Sequence, residues 1–162
     1  MTEVIGLRLA YRGFVAGLAG GYVWAAVAMV LAALLHGDPL QPLRPIALAV
    51  TPLAGTPELS FVVGLAAVQA AGGIIGMTFA YFFGRFFTVR PTVVAAAPLL
   101  TVLIWAFVAA AIAGEASITQ FATSPIGVLA TIGYGILLGV WIPLRGEVLR
   151  PPTPDQAGSP ST

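Results

Sequence analysis

The sequence predicts an all-α membrane protein: a bundle of four transmembrane helices packed through glycine and alanine, with both termini on the cytoplasmic side. Three observations predict it. The chain of 162 residues is 59% hydrophobic and only 8% charged, whereas a soluble domain carries about 25% charged residues. Four apolar segments are long enough to cross a bilayer. The arginines gather at one end of those segments.

Mean hydropathy is +0.99. No fold of this size hides so much apolar side chain from water, so the expected solvent is lipid, and the expected location is the cytoplasmic (inner) membrane of a prokaryote. The formal net charge of +1 gives no basic surface for nucleic acid. The chain has no cysteine, which excludes disulfides, thiol redox chemistry, iron–sulfur ligation and cysteine-based zinc sites. All seven basic residues are arginine, which we read as codon bias of a GC-rich genome.

Crossing about 30 Å of hydrocarbon takes about 20 apolar residues as a helix. The segments of that kind are Phe14–Leu35, Leu59–Phe83, Thr92–Ala113 and Pro125–Ile142, and none contains Asp, Glu, Arg or His. Continuous runs of this length satisfy their backbone only as helices. Arg8 and Arg12 precede the first span, Arg85 and Arg90 lie between the second and third, and Arg145 and Arg150 follow the fourth. Only Arg44 falls on the other side, beside Asp38, Glu58 and Glu115. The positive-inside rule therefore puts both termini in the cytoplasm. The first span has a basic start like a signal peptide, but its apolar core exceeds the usual ~7–15 residues, so it is read as a retained helix. Residues 1–150 are expected to form one transmembrane domain, and the tail PPTPDQAGSPST (Pro151–Thr162) has a disordered composition.

The first connection carries prolines at 39, 42, 45, 52 and 57 around an apolar Ile46-Ala-Leu-Ala-Val50. That pentamer is too short to span. It reads either as a segment tucked against helix ends or as an ordinary extended loop. Pro91 suits the first turn of the third span, and Ser124-Pro125 reads as a helix start.

Every span carries small residues four apart. The stripes are Gly13, Gly17, Gly21 and Ala25 in the first; Gly64, Val68, Gly72, Gly76, Ala80 and Gly84 in the second; Ala106, Ala110 and Gly114 in the third; and Gly127, Thr131, Gly135 and Gly139 in the fourth. Lipid tails are as apolar as leucine, so helices associate in a bilayer through close backbone contact, which small residues permit. Four residues advance by about 400°, so such a stripe drifts about 40° per step. The second helix is therefore expected to meet one partner near its outer end and another near its inner end, with small-residue surface left over for other subunits. The Gly-Gly-x-x-Gly run is no nucleotide fingerprint, since no strand precedes it.

Residues that could carry chemistry are few. Gln69 is the only amide in any span; it is read as an interhelical hydrogen bond or, alternatively, as a ligand contact. The missing intramembrane charge argues against proton-coupled carriers and pumps. His36, the only histidine, is an interfacial residue or a single axial ligand to a haem or chlorophyll-type pigment. Asp38, Glu58 and Glu115 form the sole acidic grouping, and no metal site is expected. Phe79, Tyr81, Phe82, Phe83, Phe86 and Phe87 crowd the inner end of the second span around Arg85, with Trp141 at the same level. They read as an interfacial belt in which Arg85, Arg90 and Arg145 reach lipid headgroups. Trp24 and Trp105 lie near mid-membrane, as core or flanking a quinone, carotenoid or lipid tail. Trp24-Ala-Ala-Val-Ala and Trp105-Ala-Phe-Val-Ala look alike, so the chain could be a duplicated two-helix hairpin.

The run ATIGYGILLGVWIPLR (Ala130–Arg145), together with QAAGGIIGMTFAYFFGR (Gln69–Arg85), resembles small bacterial four-helix membrane proteins of uncharacterised function. The resemblance implies the span number and no catalytic residues. The function expected first is a non-catalytic subunit packing with other membrane proteins in an energy-transducing or transport assembly. The alternatives are a free-standing carrier or binder of an apolar molecule (lipid, quinone, carotenoid or chlorophyll-type pigment) and a membrane enzyme with an acidic outer-face site. Bound membrane lipid is expected; no catalytic residue or obligatory cofactor is.

Overall fold

The computed structural model describes residues 2–84, 89–111 and 124–142, with side chains for residues 6–84, 89–107 and 124–142. The described residues form five helices: α1 (Thr2–His36), α2 (Leu43–Val50), α3 (Pro57–Phe83), α4 (Arg90–Ala111) and α5 (Pro125–Trp141). Three of them, α1, α3 and α4, are long and apolar enough to cross a membrane, and α5 is a shorter apolar helix.

Local chemistry sets the helix starts. Thr56 accepts from the Leu59 N–H at 3.4 Å ahead of Pro57, and Ser124 accepts from the Gly127 N–H at 3.2 Å ahead of Pro125. Each pairs a hydroxyl cap with a proline whose missing N–H costs nothing there. The first helix begins well before the expected Phe14. Nothing between Thr2 and Gly13 breaks a helix, and Leu9, Gly13 and Ala16 continue its buried face.

The apolar pentamer belongs to a helix. Pro42 precedes α2, whose Leu43 and Ala47 are wholly buried. The Leu43 carbonyl lies 2.7 Å from where a Gly64 Cβ would stand, so α2 is tucked onto α3. Ser60 then donates to the Ala54 carbonyl at 2.7 Å, clipping the end of this connection to α3.

The helices pack successively in the order α4, α5, α1, α3, with α2 lying on α3; among the described residues no comparable packing joins α3 to α4. Two glycine seams hold this succession. Along α1 and α3, a Cβ on Gly72 would lie 2.7 Å from the Gly17 carbonyl, and one on Gly76 would lie 2.6 Å from the Gly17 Cα. Along α4 and α5, a Cβ on Gly135 would stand 2.5 Å from the Pro98 Cα, and one on Gly139 would stand 2.9 Å from the Val94 Cα. The α3 stripe does meet two partners. The one towards its C-terminal end is α1, as a neighbouring span would be, but the one towards its N-terminal end is the short α2. A Cβ on Gly84 would first meet Ala80, one turn back in its own chain.

These two seams repeat one register. Gly17 and Trp24 stand seven residues apart in α1, as do Pro98 and Trp105 in α4. Gly64, Val68, Gly72 and Gly76 in α3 have the spacing of Gly127, Thr131, Gly135 and Gly139 in α5. The contacts correspond: Gly72 sits on Gly17 as Gly135 sits on Pro98, and Gly76 lies over Gly13 as Gly139 lies over Val94. The chain is thus built as two like hairpins, α1–α3 and α4–α5. At their meeting, the rings of Trp24 and Trp105 touch edge-on with centroids 5.8 Å apart.

Candidate functional site

The two places where the hairpins meet differ. Between α1 and α5, Tyr134 lays its ring against Gly20, where a Cβ would be 2.6 Å from two ring carbons. Its hydroxyl donates to the Gly72 carbonyl at 2.8 Å, which ties α5 to α3 across α1. Between α4 and α3 the corresponding positions are Thr101 for Gly20 and Ala71 for Tyr134. Alanine there closes nothing, and a cavity of about 400 Å³ remains. The missing α3–α4 packing and the cavity are the same feature.

The cavity has contributions from every helix. Val68, Ala71 and Gly72 of α3 line it opposite Thr101 and Trp105 of α4, and Gly21 and Trp24 of α1 line it with Thr131 and Tyr134 of α5. Ile46, Ala49 and Val50 of α2 line it from the first connection. Its walls are overwhelmingly apolar, as small-molecule pockets are, and its volume lies within the usual range of about 300–1,000 Å³. Ala71 is exposed and Trp105 half-buried, so the cavity reaches the molecular surface between α3 and α4.

Most of its polar groups are engaged within the chain. Trp24 Nε1 donates to Thr131 Oγ1 at 3.2 Å, and that hydroxyl donates to the Gly127 carbonyl at 2.8 Å. Thr101 donates to the Pro98 carbonyl at 2.9 Å. This return bond accompanies a proline inside α4, where the missing N–H interrupts the helical ladder. Trp105 lines the cavity, but its Nε1 is shut off from solvent, hence from the cavity, and has no hydrogen-bond partner.

Of the residues expected to touch a ligand, Trp24 and Trp105 line this cavity and Gln69 does not. The Gln69 amide, oriented to pair both ends, donates to the Leu18 carbonyl at 2.6 Å and accepts from the Tyr22 N–H at 3.1 Å. It brackets one rung of α1, which is an interhelical bond. His36 sits exposed in the last turn of α1, away from the cavity lining. Asp38 pairs with Arg44 at 3.2 Å and accepts from the Leu40 N–H at 3.0 Å. Glu58 is exposed in the first turn of α3, and Glu115 lies outside the described residues.

Arg90 has a structural task. Its Nη1 donates to the carbonyls of Val140, at 2.9 Å, and Ile142, capping the C-terminal end of α5, where a cation also meets the negative end of the helix dipole. Arg85, Phe86, Phe87 and Arg145 lie outside the described residues. Within the expected aromatic belt, Tyr81, Phe82 and Trp141 are exposed, but Phe79 is wholly buried and packs against Phe83. Gly13, Gly17, Gly21, Gly64, Gly72, Gly76, Gly127, Gly135 and Gly139 are all buried. Sequence reading missed Tyr134, Thr101 and Ala71 as site residues. The signal that could have found them is the paired register of the two hairpins.

Comparison with protein-family models, with curated proteins and with solved structures finds no match for this chain.

Proposed function

We propose that this chain is a four-span integral protein of a prokaryotic cytoplasmic membrane, with both termini inside, that holds an apolar molecule in the seam between α3 and α4. The single observation carrying this reading is the cavity of about 400 Å³ framed by two tryptophans and a tyrosine. It lies where α3 and α4, among the described residues, do not pack on each other. An apolar molecule of the lipid, quinone or pigment type has the chemistry of those walls.

The fourth span is supported by register. A 17-residue helix is about 26 Å long, slightly short of the hydrocarbon thickness. However, α5 runs antiparallel along both α1 and α4, and Arg90 at the start of α4 caps its end. This supports placing it at their depth. Arg8, Arg12 and Arg90 at one end of the helices, with α2 at the other, support the orientation with both termini inside. In that orientation α2 covers the outer side of the cavity, and its mouth faces the lipid.

A stoichiometric apolar molecule in the purified protein, identified by mass spectrometry in mild detergent, tests this function. A preparation carrying only bulk lipid in the proportions of the membrane contradicts it.

The subunit reading keeps one favouring observation. Leu99, Leu103 and Phe107 stand exposed four residues apart on α4, a stripe that another subunit could cover as well as lipid. The glycine stripes that first motivated it are occupied within the chain, so they no longer argue for a partner. Native purification with stoichiometric partner proteins would favour that reading.

A further inference from the structure

The shape and the chemistry of the cavity restrict what fills it. Its α3 wall runs from Ala67 to Ile75, a rise of about 12 Å along the helix. Spread over that height, a cavity of about 400 Å³ has a mean section of about 33 Å². Carbon atoms in contact lie about 3.5–4.0 Å apart, so one extended alkyl chain fills roughly half of such a section. Ala67, Ala71 and Gly72 project nothing beyond a methyl group, so this stretch of wall is smooth. A broad body can lie against it, whereas a thin chain leaves gaps, and a gap forfeits dispersion contacts.

The side-chain donors of the lining are spent or closed off. Trp24 donates to Thr131, and Thr101, Thr131 and Tyr134 each donate to a backbone carbonyl. The remaining one, Trp105 Nε1, is not presented to the cavity. A ligand oxygen drawn in from the wet edge of the membrane would therefore exchange a hydrogen bond for none, and such a loss is costly. Resting on the reading of this cavity as a ligand site, we propose that what it encloses is a broad hydrocarbon body, fused rings or a methyl-branched isoprenoid chain, without a polar group. Any polar group of the ligand stays outside the mouth, and a straight acyl chain is a poor occupant. Ala71, exposed at that mouth, lets the body enter sideways from the bilayer.

Retention of small probes by the full chain in detergent micelles tests this, counted per chain by mass spectrometry after gel filtration and corrected for empty micelles. The probes are hexadecane, pristane (a methyl-branched chain), 5α-androstane (a fused tetracycle) and the ketones pristan-8-one and 5α-androstane-3,17-dione. The wild type should retain pristane or androstane in excess of hexadecane, and which one names branched chain or ring. The ketone of that preferred probe should be retained at least about fivefold less, the worth of a hydrogen bond lost on entry. Ala67→Leu thickens the smooth wall and should lower the ratio of the preferred probe to hexadecane several-fold. Hexadecane retained as well as both broad hydrocarbons, a ketone retained as well as its parent, or a ratio unmoved in Ala67→Leu overturns the broad-hydrocarbon assignment and leaves the cavity reading standing. A wild type that retains none of the probes overturns both.

Discussion

Tyr134 lies against Gly20 with no room for a methyl group between them: a Cβ on Gly20 would come within 2.6 Å of the ring. The same tyrosine reaches past α1 to the Gly72 carbonyl at 2.8 Å. This pairing closes one meeting of the hairpins, and its absence at Ala71 opens the other.

Gly20→Ala should therefore displace a ring that is also hydrogen-bonded, at a cost of about 1–3 kcal/mol from overpacking. Tyr134→Phe keeps the ring and should lose about 1 kcal/mol for the single bond. Unfolding by SDS titration in mixed micelles measures both. Equal stability of Gly20→Ala and the wild type would remove the closed seam from the account.

The glycines of one chain should respond differently to one methyl group. A Cβ at Gly76 meets backbone of Gly13 and Gly17, so Gly76→Ala should separate α1 from α3 and destabilise strongly. At Gly133 a Cβ finds only Val27 Cγ2 at 4.0 Å. Gly133→Ala should be neutral or stabilising, since alanine favours a helix over glycine by about 1 kcal/mol in water. Thermal inactivation of the two variants in one detergent gives the comparison.

How much of this was legible follows residue by residue. Pro57 and Ser124-Pro125 announce helix starts because capping is local chemistry. The glycine stripes of α1 and α3 announce a seam because small-residue spacing is local too. The helix of Leu43–Val50 was not legible: its prolines read as breakers, and the burial of Leu43 against Gly64 that favours the helix is tertiary. Arg90 reads as a headgroup ligand until the end of α5 is found beside it. The cavity is hardest, because it arises from what Ala71 and Val68 lack relative to Tyr134 and Thr131. Such a difference has meaning only after the hairpins are superposed in register.

Arg90→Met keeps the length of the side chain and removes its donors. It should fray the C-terminal end of α5 and lower stability by roughly 1 kcal/mol, a figure kept small because this end is partly exposed. Hydrogen exchange at Leu138–Ile142, read by mass spectrometry, should rise in the variant. No change there would leave the capping role without consequence.

Topology has its own check. Alkaline phosphatase fused after Arg150 should be inactive, and fused within the connection between α1 and α3 it should be active. Activity at both places would deny α5 its role as a span.

The central claim is that an apolar molecule occupies the gap that Ala71 leaves. The most direct measurement compares what co-purifies with the wild type and with Ala71→Tyr, which puts at this seam the residue that closes the other. The account predicts a stoichiometric apolar molecule in the wild type and its loss from a variant that remains folded. The same molecule at the same stoichiometry in both proteins would contradict it.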